Sequence, residues 1–132
     1  MVIDTSAMLA ILFGEPEQAA FTDAIAADGA CAMSVASLVE CSIVLDARHG
    51  PPAVRDLDLL LAKAEIHLAP VDLEQADLAR HAYRHFGKRR HVAGLNFGDC
   101  FAYALAQALG EPLLFKGGDF SRTDVGCHPA SV

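Results

Sequence analysis

The sequence predicts an α/β chain, a three-layer α/β/α domain with a central, mostly parallel sheet. Two observations carry that reading. Four short apolar segments, "MVI", "ACAMS", "IHLAPV" and "PLLF", are separated by longer stretches with helical periodicity. Strands that alternate with helices form crossover units, which put helices on both faces of a parallel sheet. The length, 132 residues, suits a single domain spanning 1–132, with no repeat and no low-complexity linker to divide it.

Each element has a local reason. "MVI" is apolar enough for a buried strand, and "SAMLAILFG" continues as a short helix stopped at Gly14. Pro16 suits the first turn of "PEQAAFTDAIAAD", which ends before Gly29. "ACAMS" is the second strand. Ser34 is placed to cap "VASLVECSIVLDARH", and Gly50-Pro51-Pro52 ends it. "PAVRDLDLLLAKA" sets Leu57, Leu60, Leu61 and Ala64 on one side of a helix. "IHLAPV" is the third strand. Asp72 with Gln75 predicts a capping box for "LEQADLARHAYRHF", which stops at Gly87. A polar stretch follows, then the helix "DCFAYALAQAL", closed by Gly110 and Pro112, and the fourth strand "PLLF".

Composition excludes several classes. The apolar fraction is 53%, enough for a substantial core and too much for a disordered chain. No apolar run approaches the roughly 20 residues of a membrane span. Met1-Val2-Ile3-Asp4 lacks the basic start of a signal peptide, so a soluble cytoplasmic domain is expected. The formal net charge of −7 argues against a chain that binds nucleic acid over its whole surface. It leaves room for a nuclease whose acids are neutralised by a metal ion. Cys31, Cys41, Cys100 and Cys127 share no C-x-x-C spacing, so neither a zinc knuckle nor a redox pair is predicted. His81 and His85 lack the intervening glutamate of the zinc-protease helix.

In parallel α/β sheets the site lies beyond the carboxyl ends of the strands. Asp4 ends the first strand, and Asp119 follows the fourth after Lys116-Gly117-Gly118. Asp99 sits at the start of its helix, where the helix dipole tolerates negative charge. Glu40 lies two turns inside an apolar helix, and none of Ala36, Ser37, Ile43 and Val44 is a charge partner. It is therefore expected to face a cleft and a cation. Taken singly, Asp4 and Asp99 serve equally well as helix caps and Asp119 as a turn residue. Taken together, four acids from four separated segments suit a divalent cation held through oxygen.

The segments "MVIDTSAML", "SVASLVE", "GLNFGDCFAYALA" and "LLFKGGDFSRTDV" resemble, in order, the four acidic motifs of the PIN-domain family, nearest to the VapC-type ribonuclease toxins. The likeness runs from residue 1 to about residue 125. It implies a compact α/β/α fold, Mg²⁺- or Mn²⁺-dependent endoribonuclease activity, homodimerisation and inhibition by a cognate VapB-type antitoxin. By motif, Asp4, Glu40, Asp99 and Asp119 form the acidic site, with Asp4 and Asp99 as direct metal ligands and the Ser6 hydroxyl lining it. One position departs from the pattern: many PIN domains carry a polar or acidic residue two before the aspartate of the "DF" pair, where this chain has Gly117. Asp124 is a further acid nearby, to be weighed against a plain loop role.

A carboxylate cluster repels RNA until a metal reverses the local charge, polarises a phosphate oxygen and acidifies a water. Glu40 is the residue placed to orient or deprotonate that water. Lys88, Arg89 and Arg90, with Lys116 and Arg122 beside Asp119, are the expected phosphate contacts. Phe97, Phe101 and Phe120 are candidates for stacking bases, with core packing favoured for Phe101. The apolar helices "AILF" and "LVECSIVL" offer a dimer or antitoxin surface beyond their share of the core. Two other readings were weighed. A dehalogenase-like phosphatase needs a second aspartate at position 6, which is Ser6. A catalytically silent PIN scaffold that binds RNA or a protein partner would not need all four acids.

Overall fold

A computed structural model describes residues 1–132. Four parallel strands form the central sheet: β1 (Val2–Ile3), β2 (Ala32–Ser34), β3 (His67–Ala69) and β4 (Leu113–Leu114). Their spatial order is β3-β2-β1-β4. The helices are α1 (Thr5–Leu12), α2 (Gln18–Ala27), α3 (Val35–His49), α4 (Pro51–Lys63), α5 (Leu73–Phe86) and α6 (Phe97–Leu109). A short 3₁₀ turn, Phe120–Arg122, follows β4. No helix is long and apolar enough to cross a membrane. The expected three-layer α/β/α arrangement is the one found.

The layers follow from the period-two alternation of strand side chains. Ile3, Met33 and Leu114 point into a core of 16 buried residues shared with α1 to α4. Their neighbours Val2, Ala32 and Leu113 point the other way, into a second core of 16 shared with α5 and α6. Both faces are covered, so the strands are mostly apolar; the exceptions are Ser34 at the end of β2 and the exposed His67 at the start of β3.

The chain runs outward through β1, β2 and β3, then crosses back to lay β4 on the other side of β1. The strand order therefore reverses between β1 and β4. Ligand crevices of open parallel sheets lie at such a switch point. Two segments leave the sheet there side by side, since Ile3 pairs with Leu114.

Helix starts differ from expectation in three places. α2 begins at Gln18 with Glu17 at its cap position, so Pro16 lies in the turn before the helix and not in its first turn. Asp72 accepts the Gln75 amide at 2.9 Å, but the Gln75 side chain donates to the Pro70 carbonyl, so only half of a capping box forms. The complete box is at α6. There Asn96 accepts the Asp99 amide at 2.9 Å and Asp99 accepts the Asn96 amide at 2.8 Å. Asn96 is thus the cap, and α6 starts two residues before Asp99. Ser34 caps α3 as expected, accepting from Ala36 at 3.2 Å.

The segment after β4 is fastened to α6 by Tyr103, whose buried hydroxyl donates to Asp124 Oδ1 at 2.7 Å. Asp124 is accordingly a structural acceptor. Removing the donor with Tyr103→Phe should lower the unfolding free energy by about 1.5–3 kcal/mol, as expected for a hydrogen bond to a charged group. Urea unfolding measures it, and an unchanged midpoint would show that the bond adds nothing.

Candidate functional site

Asp4 begins the site. It follows β1 in extended backbone (φ −80°, ψ 158°) and caps α1. Only 2% of the residue is exposed. Its Oδ2 accepts the Ser6 amide at 2.9 Å and the Ser6 hydroxyl at 2.6 Å. Its Oδ1 is buried and has no hydrogen-bond partner. Burial pushes the carboxyl pKa up; the bonds from Ser6 pull it back, and the charge of Glu40 adds to the rise.

Ser6 joins the two strand ends. Its hydroxyl oxygen also accepts the Lys116 amide at 3.0 Å, so the chain leaving β4 is tied through Ser6 to Asp4. Glu40 is half-buried on α3, and its Oε2 accepts the Thr5 hydroxyl at 2.9 Å. Among protein groups its partner is a hydroxyl rather than a basic side chain. Its carboxylate is held by Thr5 and lies against Gly98 in the first turn of α6, so close that a Cβ there would overlap it. Thr5 and Gly98 were not singled out by sequence as site residues. The adjacent hydroxyl pair after Asp4 is the signal for the first; nothing local marks the second.

Asp99 sits at the third residue of α6, half-buried. Its pKa is pushed up to about 7, chiefly by burial. The bond from the Asn96 amide opposes that rise, and the charges of Asp4, Asp119 and Glu40 reinforce it. The other three predicted acids therefore lie within electrostatic reach of Asp99. Asp119 is exposed at the head of the 3₁₀ turn. Gly117 has φ +112°, a backbone conformation that L side chains rarely adopt, so the departure from the family pattern follows from the turn itself.

The expected phosphate contacts divide. Lys88, Arg89 and Arg90 are exposed in the turn after α5. Arg122 donates to the Val92 carbonyl at 3.1 Å, tying that turn to the Asp119 segment. Lys116 is otherwise engaged: its Nζ pairs with Glu15 at 2.6 Å and Glu17 at 2.8 Å, which removes it from the expected track. Phe120 is buried against Phe115 with ring centres 5.2 Å apart, so it is core and offers no stacking surface. Cys31, Cys41 and Cys100 are buried free thiols.

A small divalent cation fits these residues. The donors are all oxygen, one buried Asp4 oxygen lacks a partner, and positive charge would offset the burial and the neighbouring charges that together raise Asp99. No three His, Cys, Asp or Glu side chains converge into a ready-made cage. An ion that keeps most of its water and takes one or two carboxylates needs none.

Residues 1–126 match the PIN domain. The chain belongs to the PIN-domain family. Within it, this PIN domain stands among VapC-type members. It is 55% identical over 125 residues to the Ribonuclease VapC of Mycolicibacterium smegmatis, covering 95% of this chain and 97% of that one. It is 54% identical over 125 residues to Ribonuclease VapC30 of Mycobacterium tuberculosis, covering 95% of each. Among solved structures, the Mycobacterium tuberculosis toxin VapC20, described as cleaving the sarcin-ricin loop, superposes with a TM-score of 0.75. That likeness covers 94% of this PIN domain and 95% of the toxin at 20% identity, and it is a likeness of fold.

Asp99 holds a proton in the folded chain that the unfolded chain releases between its ordinary pKa of 3.8 and about 7. Its contribution to stability is therefore full at low pH and lost as pH rises through about 7. In EDTA, Asp99→Asn should raise the thermal midpoint at pH 8 and raise it much less at pH 5. Equal shifts at both pH values would remove the repulsion argument.

Proposed function

We propose that this PIN domain is a Mg²⁺-dependent endoribonuclease, the toxin of a VapBC-type pair, that hydrolyses RNA phosphodiester bonds and is neutralised by a cognate antitoxin. The observation that carries the reading is the buried, unpartnered oxygen of Asp4, set among three further carboxylates at the sheet's switch point. Relatives named ribonucleases, 55% and 54% identical over almost the whole chain, support it.

Asp4 and Asp99 are the residues that would hold Mg²⁺, with Mn²⁺ an alternative ion, and Asp119 stands at the rim. When bound, the ion supplies a Lewis acid for the phosphate and lowers the pKa of a water. The chain's own residues do the rest. Ser6 fixes one Asp4 oxygen, leaving the other for the ion. Thr5 orients Glu40, whose carboxylate takes a proton from the attacking water. The water oxygen bonds to phosphorus as one ester P–O bond breaks, and the proton taken up by Glu40 is returned through solvent to the departing oxygen. Lys88, Arg89 and Arg90 draw the RNA backbone toward this edge.

Asp4→Asn and Asp99→Asn should each lower Mg²⁺-dependent cleavage of RNA by at least about 100-fold, the loss expected when a strongly placed charge group is removed. Glu40→Gln should lower the rate more than the stability. Cleavage that survives both aspartate changes, or that ignores EDTA, would sink the site. Binding of RNA without cleavage by the wild type would favour the silent scaffold. Mg²⁺ itself should raise the thermal midpoint of the wild type, by about 2.7 kcal/mol of stability at a hundredfold excess over its Kd, and not that of Asp4→Asn.

The antitoxin has a separate surface in this reading. Val39 and Ile43 on α3 are 57% and 63% exposed, one helical turn apart, and line a shallow groove with Pro51 and Val54 of α4. An amphipathic helix suits such a groove. Ile43→Asp should abolish co-purification with the antitoxin while leaving cleavage intact. Undiminished co-purification would move the partner elsewhere. Homodimerisation belongs to the same proposal and is read from sedimentation of the free chain.

A further inference from the structure

A second groove, about 690 Å³, runs between α5 and α6 on the flank of the acidic edge. Ala79, Tyr83, Phe97 and Phe101 line it, and Arg80 and Lys88 stand at its rim. Phe97 is 79% exposed, a costly position for a large apolar ring unless something covers it. It meets Phe101 edge to face, centres 4.9 Å apart, which leaves most of its own surface open. Arg90 lies over the Tyr83 ring, 5.7 Å from its centre.

Charge selects the occupant. Residues 78–98 hold Arg80, Arg84, Lys88, Arg89 and Arg90, half of the chain's ten basic residues, and no Asp or Glu; Asp77, just outside, pairs with Arg80 at 3.0 Å, which leaves Lys88 as the unpaired cation at the groove's rim. Two copies of this face would repel each other. A polyanion would not. Flat aromatic rings beside a cationic rim are the combination that binds single-stranded nucleic acid: the cations track the backbone while the rings stack the bases. An acidic peptide would satisfy the rim but not the rings.

Position points the same way. Asn96 lines the groove, and it and Asp99 each donate a backbone amide to the other's side-chain oxygen. Groove and acids therefore share the first turn of α6. On the other side, the turn that carries Lys88 is tied to the Asp119 segment through Arg122 and the Val92 carbonyl. We infer that this groove stacks one base of a single-stranded RNA whose backbone continues to the acidic edge, with Phe97 as the platform. The inference rests on the nuclease reading above for its substrate, and adds a specificity subsite to it.

The chain contains no tryptophan, so Phe97→Trp installs a lone reporter. In an Asp4→Asn background, which keeps RNA whole, a short mixed-sequence oligoribonucleotide should quench that tryptophan. An abasic sugar–phosphate chain and a poly-glutamate peptide should not. Phe97→Ala should weaken oligoribonucleotide binding about tenfold or more, the scale of one lost base stack. It should leave abasic-chain binding and the thermal midpoint unchanged, because the ring is outside the core. Three results would overturn the subsite: equal oligoribonucleotide affinity for Phe97→Ala, equal quenching by the abasic chain or the peptide, or a dimer that Phe97→Ala dissolves without touching RNA affinity. Cleavage by the wild type with Mg²⁺ is scored separately. Cleavage with no Phe97 effect defeats the subsite alone; quenching without wild-type cleavage defeats the nuclease reading alone.

Discussion

One buried carboxylate sets the terms for the whole edge of the sheet. Asp4 is held by Ser6 through one oxygen, while the other is left without a partner in a place water scarcely reaches. A buried charge with half its bonding capacity unused is costly. The surroundings do not relieve that cost, since Glu40, Asp99 and Asp119 add negative charge to the same neighbourhood. The cation proposed above would relieve both costs at once. Ser6 does more than cap: by accepting the Lys116 amide it keeps the two strand ends at a fixed separation.

Much of this was legible in the sequence, for identifiable reasons. Strand faces follow a two-residue period, so Val2 and Ile3 could only divide between two cores. Acids at element ends in a parallel sheet collect at the carboxyl edge, so Asp4, Asp99 and Asp119 could be grouped without coordinates. Three-dimensional partnerships were not legible. Lys116 is claimed by Glu15 and Glu17, which are a hundred residues away in the chain, and no local pattern announces that. Glu40 was expected to face a cleft, but its protein neighbours there, Thr5 and the first turn of α6, could not be read from its own helix. The α6 cap fell to Asn96, because a cap and its reciprocal acid look alike until the backbone is known. Phe120 and Phe97 are both phenylalanines beside acidic motifs; only burial separates core from surface.

The chain also divides its charge in space. Its overall balance is acidic, yet one stretch beside the acids, residues 78–98, carries five basic residues and no acid of its own. A polyanion approaching from solution would be turned away by most of the surface and accepted on one flank. Charge separation of this kind steers encounter more than it adds affinity, and it weakens with salt. The exposed apolar strip on α3 lies on the helical layer opposite α5, so a protein partner and a nucleic acid need not compete for the same helix face.

The shortness of β1 has a further meaning. A strand of two residues has little ladder to hold its register, and a slip of one residue would exchange the faces of Val2 and Ile3. It would also carry Asp4 toward the hydrogen-bonded interior of the sheet, where a carboxylate is costly to bury. In the native register Asp4 sits just past Ile3, the last paired residue of β1, and caps α1. The side chain that opens the acidic edge is therefore also the one that marks where strand ends and helix begins.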